Sequence, residues 1–295
     1  MEFSKLSDFD PMSPQTKTGR KNVLSIFFLL GCLSMSGWVS AAPAIASVDT
    51  IAGRQIESLT IKNPDAHVSI VFENGLRATV DGWDKVIESL APDASIFAYN
   101  RPGYGNSPET GTARDGGTIV EELRQTLKQK GLAPPYILVG HSLGGLYMQL
   151  FAKRYPQEVS GLVLVDPLLP GVVKKSDEFP FWTRGAKRLF FSSTVNKEID
   201  AIHQTSEQVL SLAAIDDKPI VMLINKPKGA TAVGVDFGAF NKDQKTRESV
   251  NGMYPKAKKI IVDSDHQVQR QNPGEVVDAI KGIIAKQTQA HEAAR

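Results

Sequence analysis

The sequence predicts an α/β protein with a mostly parallel central sheet, helices on both faces of that sheet, and a helical cap inserted between two strands. Three observations predict it. Short apolar runs alternate with longer stretches whose apolar residues recur every three or four positions, the signature of βαβ units. That rhythm breaks once, after Asp166, and resumes at Ile220. The chain has 295 residues, 41% hydrophobic and 22% charged, which suits one such domain carrying an insertion.

The elements follow in order. Glu57 to Lys62 alternates weakly and is expected as an edge strand. His67 to Phe72 is apolar enough for the sheet interior, and Glu73-Asn74-Gly75-Leu76 is its turn signal. Trp83, Val86, Ile87 and Leu90 mark one face of a helix. Ala94 to Tyr99 is the next strand, ended by Asn100-Arg101-Pro102-Gly103-Tyr104-Gly105. A helix over 117–130 carries Ile119, Val120, Leu123 and Leu127 on its apolar face, with Gly131 placed to stop it. Strand Tyr136 to Val139, helix Leu146 to Tyr155 and strand Leu162 to Val165 repeat the unit.

Residues 167–217 hold no convincing strand. They carry Pro167, Pro170 and the aromatics Phe179, Phe181, Trp182, Phe190 and Phe191, with helical spacing from Ile199 to Leu212. These aromatics are expected either to line an acyl pocket or to pack the cap onto the sheet, since pockets and cores draw on the same residues. Strand Ile220 to Ile224, a helix-like stretch, strand Lys259 to Val262 and a closing helix from Pro273 through Ile284 complete the pattern. The core is thus assigned to 47–166 and 218–295, the cap to 167–217.

Residues 1–46 stand outside this fold. A polar stretch leads to Arg20-Lys21, then the apolar run Val23 to Leu30 that weakens toward Val39, then Ser40-Ala41-Ala42-Pro43-Ala44-Ile45-Ala46. Basic flank, apolar core and small-residue exit describe a secretory signal, with cleavage expected after Ala44 or Ala46 and export to the periplasm or beyond the cell. Gly31, Ser34, Ser36 and Gly37 dilute the run below what a stable membrane span needs, so an uncleaved anchor is the weaker reading. Leu29-Leu30-Gly31-Cys32 also resembles a lipobox, whose cysteine would be lipidated, although the residues after Cys32 stay apolar. Cys32 is the only cysteine, so no intramolecular disulfide can form. Membrane association is expected only through this segment or that lipidation.

A net charge of +2, with cations scattered among acids, gives no electrostatic footprint for nucleic acid. No H-E-x-x-H, H-x-x-E-H or paired-cysteine spacing occurs, so no metal is indicated. The Gly103 to Gly105 turn lacks a third glycine at dinucleotide spacing.

One motif carries chemistry. Gly140-His141-Ser142-Leu143-Gly144 follows an apolar strand and precedes an apolar-periodic helix, the setting of a nucleophile elbow. A serine swung through so tight a turn has a strained backbone, and side chains two positions to either side would collide. Its hydroxyl needs a base within hydrogen-bond reach. Of five histidines, His67 is placed in a strand, His203 in the cap and His291 in the tail, while the His141 side chain is expected to point away from its neighbour's hydroxyl. His266 follows a strand and precedes the last helix, at the carboxyl end of the sheet where such folds gather their sites.

Gly140 to Gly145, Arg101 to Gly105 and the late His266 together resemble the α/β-hydrolase superfamily, and within it the cap-bearing serine esterase-like branch, over roughly residues 55–287. The resemblance implies a Ser–acid–His triad in that chain order, acyl-enzyme hydrolysis and no cofactor. It also implies oxyanion donors at the backbone N–H of Leu143, in the elbow, and of Leu76, in the turn that replaces the family's His-Gly turn. The acid departs from the commonest pattern, which places an Asp just after strand 220–224; here Asn225-Lys226-Pro227-Lys228-Gly229 follows, with no carboxylate before Asp236. Some members supply the acid at the end of the strand after the nucleophile helix, where Asp166 stands. Asp166 is assigned, with Asp236 the alternative and Asp263 and Asp265 still open. Relatives that open epoxides or haloalkanes carry Asp where this chain has Ser142. The expected function is an exported serine hydrolase acting on a small ester-like substrate. A non-catalytic binding protein on the same fold, or an acyltransferase using the same triad, is the alternative.

Overall fold

The computed structural model describes residues 46–226, 239–240 and 244–293, all within one compact unit, Ala41–Arg295. The expected signal segment, Cys32 and Asp236 lie outside the described residues. In chain order the strands are β1 (Ser47–Ile51), β2 (Arg54–Ile61), β3 (Ser69–Glu73), β4 (Ser95–Tyr99), β5 (Tyr136–His141), β6 (Val159–Val165), β7 (Ile220–Asn225) and β8 (Lys258–Val262). They form one sheet in the order β1-β2-β4-β3-β5-β6-β7-β8. The pairs β1·β2 and β2·β4 are antiparallel, and all others are parallel. The helices are α1 (Asp84–Leu90), α2 (Gly116–Gln129), α3 (Leu143–Arg154), α4 (Phe181–Phe190), α5 (Ser193–Leu210), α6 (Gln244–Gly252), α7 (Val268–Gln271) and α8 (Pro273–Ala293).

Every residue of β3, β4 and β5 is buried, because a parallel sheet covered on both faces has no solvated side. Side chains alternate between two cores. Phe97 and Leu138 join residues of α2, α3 and α5 on one face, while Ile96 and Ile137 join those of α1, α7 and α8 on the other. Burying each such side chain contributes roughly 1.5–3 kcal/mol. The Asp115 carboxylate caps α2 by accepting from the N–H groups of Gly117 and Thr118, and Gly131 (φ 68°) ends that helix as expected.

Two local expectations need correction. The strand expected at the sheet edge, β2, lies one place inside it, because β1 pairs along its outer side. β1 escaped notice because Ser47-Val48-Asp49-Thr50-Ile51 buries only its last residue and so carries no alternation. His67 stands exposed just before β3 instead of within it. Between β6 and β7 the described chain is helical, with α4 and α5 and one isolated bridge from Val173 to Phe240. α5 packs against α2 and α3, sending Ile202 and Val209 into the core.

Candidate active site

Ser142 sits between β5 and α3 with φ 52° and ψ −120°, a region costing a non-glycine residue roughly 1–3 kcal/mol. The surroundings hold it there. Its N–H donates to the Val165 carbonyl at 3.1 Å, and its carbonyl accepts from the Leu168 N–H at 2.8 Å. A Cβ added at Gly140 would lie 2.7 Å from the Gly144 carbonyl oxygen, the collision the elbow glycines avoid.

Asp166 ends β6, the strand beside the nucleophile strand, and is itself left-handed (φ 40°). Its N–H donates to Leu223 O at 2.7 Å, and its Oδ1 accepts from the Asn225 N–H at 3.4 Å, so the next strand, β7, positions it. His266 lies in the loop after β8. There the Asp265 carboxylate accepts from the Gln267 N–H at 2.6 Å and from Gln271 Nε2 at 2.5 Å. Three side chains, distant in sequence, meet: His266 Nδ1 is 2.6 Å from Asp166 Oδ2, and His266 Nε2 is 2.9 Å from Ser142 Oγ. A carboxylate only accepts, so Nδ1 carries the proton and Nε2 turns its lone pair toward the serine hydroxyl. The imidazole is about half exposed and the Asp166 carboxylate mostly covered. Among the other acids, Asp265 staples its own loop and Asp263 is exposed; neither takes the place that Asp166 holds.

The His141 side chain packs at the site, against the histidine loop. It is buried, its ring centroid is 4.7 Å from that of His266, and its Nε2 lies 2.7 Å from the His266 carbonyl oxygen. Nε2 therefore donates, and Nδ1 is a bare lone pair with no hydrogen-bond partner among the described residues. A Cβ at Gly75 would come within 2.8 Å of that nitrogen and 3.2 Å of Ser142 Cβ. Burial, and after it the neighbouring imidazole of His266, push the His141 pKa down to about 4. His141 thus stays neutral and pins the backbone of the histidine loop.

A second group that sequence reasoning missed lies beneath the turn after β3. Arg101 is fully buried, and its Nη1 donates to Glu73 Oε1 at 2.5 Å and to the Asn74 carbonyl at 2.6 Å. Nη2 reaches the Gly75 carbonyl at 3.2 Å and Glu198 Oε2 at 3.0 Å, while Nε reaches Glu198 Oε1 at 2.9 Å. The Gly75 carbonyl and the Leu76 N–H belong to one peptide plane and point oppositely, so a donor that fixes the first aims the second. Tyr99 and Tyr104 complete the cluster by donating to Glu73 and Glu198 at 2.6 and 2.7 Å. One buried cation faces two buried carboxylates, and burial pushes the Glu73 pKa above the usual carboxylate range. Glu198 was legible: it falls at helical spacing between the apolar Val195 and Ile202, a carboxylate on the buried face of its helix.

The cap aromatics follow neither expectation as a group. Phe179 is buried in the core, and Phe191 lies under the Arg77 guanidinium, 5.3 Å from it. Phe181 and Phe190 instead stand 80% and 74% exposed. Among the described residues, no group of three or more His, Cys, Asp or Glu is placed to hold a metal ion.

A parallel-sheet α/β protein with an elbow-borne serine bonded to a histidine, itself bonded to an aspartate, is the class that fold and site define. The sequence profile of the alpha/beta hydrolase fold family matches residues 68–270, and the chain belongs to that family. It is 31% identical over 105 residues to a human (lyso)-N-acylphosphatidylethanolamine lipase, covering 33% of this chain and 30% of that one. It is 25% identical over 129 residues to the rat 1-acylglycerol-3-phosphate O-acyltransferase ABHD5, covering 41% and 37%. The chain spans 40% or less of the length of such curated relatives. The crystal structure of Cfl2 from Burkholderia cenocepacia superposes with a TM-score of 0.61 at 18% identity, over 81% of this chain and 95% of that one.

Proposed function

We propose that the protein is an exported serine hydrolase that cleaves a carboxylic ester, or a related acyl bond, through an acyl-enzyme on Ser142. The observation that carries this is the relay of short contacts from Asp166 through His266 to the Ser142 hydroxyl. In this reading Ser142 attacks the acyl carbonyl while His266 Nε2 takes its proton, and Asp166 holds the tautomer and stabilises the imidazolium. The proton then passes to the leaving alcohol, and a water deprotonated by the same nitrogen releases the acid. The N–H groups of Leu143, at the start of α3, and Leu76, in the turn held by Arg101, receive the oxyanion. Loss of one such donor costs on the order of 3 kcal/mol of transition-state stabilisation. Residues 167–217 act as the cap, contributing Glu198 to the support of that turn. The names of the human lipase and the rat acyltransferase support acyl chemistry in general. Export rests on the basic, apolar and small-residue run from Arg20 to Ala46.

The experiment is rapid mixing with p-nitrophenyl esters of graded acyl length. A burst of one nitrophenol per protein, followed by slower turnover that an added alcohol does not divert, supports a hydrolase. Diversion of the acyl group to the alcohol as the main product would establish transfer instead, and binding of the esters with neither burst nor turnover would leave a binding protein.

A further inference from the structure

We propose that α4 is a docking helix for an anionic lipid surface. The helix is amphipathic the wrong way round. Its buried residues are Thr183 and Lys187, and Lys187 Nζ hydrogen-bonds the Asp200 carboxylate of α5, so the polar side of α4 is its attachment to the protein. The opposite side carries Phe181 at 80%, Trp182 at 49% and Leu189 at 77% exposure, and Phe190, the last residue of the helix, is 74% exposed as well. Spacings of seven and eight residues bring Phe181, Trp182 and Leu189 onto one stripe, with the small Gly185 and Ala186 between them. Scattered exposed apolar residues need no explanation, but four large ones gathered on one helix mark a surface built to be covered.

Charge selects the occupant. The helix sequence FWTRGAKRLF holds three cations and no acid; Lys187 is neutralised by Asp200, while Arg184 and Arg188 are exposed beside the stripe. A second copy of the chain meeting this face about a two-fold axis would set arginine against arginine. An anionic headgroup layer pairs with both, and the apolar stripe then sinks about 5–10 Å, to the boundary of the acyl chains. The site lies close by, since Phe191, just past the end of α4, stacks under Arg77, which adjoins Leu76. The docking stands apart from the proposed chemistry and is testable without turnover.

The test uses the full chain and fluorescence from Trp182, isolated as the difference between wild type and Trp182→Phe, because Trp38 and Trp83 are common to both. Probes are vesicles of phosphatidylcholine alone, or with phosphatidylglycerol, each also prepared with brominated acyl chains. We expect the Trp182 component to shift blue and to be quenched by shallow bromines on the anionic vesicles. Arg184→Gln with Arg188→Gln should weaken that binding by roughly 30-fold, about fivefold per cation removed. Phe181→Ser with Leu189→Ser should abolish the quenching, with an unchanged melting temperature showing that the fold is intact. Three results overturn the proposal: Trp182 emission indifferent to vesicles, equal response to neutral and anionic vesicles, or a lipid-free, concentration-dependent blue shift accompanied by dimer formation in sedimentation.

Discussion

Beneath the turn after β3, the side chains of Glu73, Arg101 and Glu198 are 1% exposed or less, whereas on α4 Phe181, Leu189 and Phe190 are at least 74% exposed. The two regions invert the usual partition of polar and apolar groups in opposite directions. Buried charge persists in the first because Arg101 is bonded on every nitrogen and both carboxylates are held by tyrosines as well. Its product is geometry: two carbonyls of the turn after β3 are fixed, and a helix of the insertion is tied to them. The exposed apolar side chains of α4 take no part in either core. Internal stability should therefore depend heavily on the first region and hardly at all on the second.

Arg101→Met is the hardest blow to this contrast. It leaves two buried carboxylates without their cation and should cost about 3–5 kcal/mol in urea unfolding, the usual range for breaking a buried pair. A loss comparable to that of a surface substitution would erase the contrast from the buried side. In a variant that still folds, such as Glu198→Gln, kcat should fall more than KM rises, because the turn serves the transition state.

The His141 prediction concerns pH. Its pKa is about 4 in the folded protein against an ordinary value of 6.5, so between those values the unfolded chain binds a proton that the native protein refuses. Stability then falls as pH drops through that window, by about 3 kcal/mol in all. Unfolding free energies of wild type and His141→Gln, measured from pH 7 to pH 4, should diverge, with the variant showing the shallower slope. Parallel curves would mean that the imidazole is not held neutral.

The smallest expected effect sharpens the comparison from the other side. Leu189→Ser should change unfolding free energy by less than about 0.5 kcal/mol, as at other surface positions without structural partners. A cost of several kcal/mol would show that the face is packed in solution.

Much of this was legible in the sequence, for reasons that differ by residue. Ser142 announces itself because strand, glycines and helix must all be present for the turn to close. Asp166 was reachable by topology, since the end of the neighbouring strand is one of few places near the elbow. What escaped was direction. Periodicity gives α4 an apolar face but cannot say that its polar side chains, Thr183 and Lys187, are the ones turned inward. His141 was set aside because, next to the nucleophile, its side chain was expected to point elsewhere, yet the loop of His266 folds over and meets it. Arg101 was visible as a motif, but its partners Glu73 and Glu198 are 28 and 97 positions away, and only the fold joins them.

The central claim is that the Ser142 hydroxyl is activated by His266. A fluorophosphonate probe, which phosphonylates activated serines, tests it most directly when read by peptide mass spectrometry. We predict one adduct per chain on Ser142 in the wild type, none in Ser142→Ala, and labelling slowed by several orders of magnitude in His266→Gln. An unlabelled wild type, or equal labelling rates with and without the imidazole, would contradict the account.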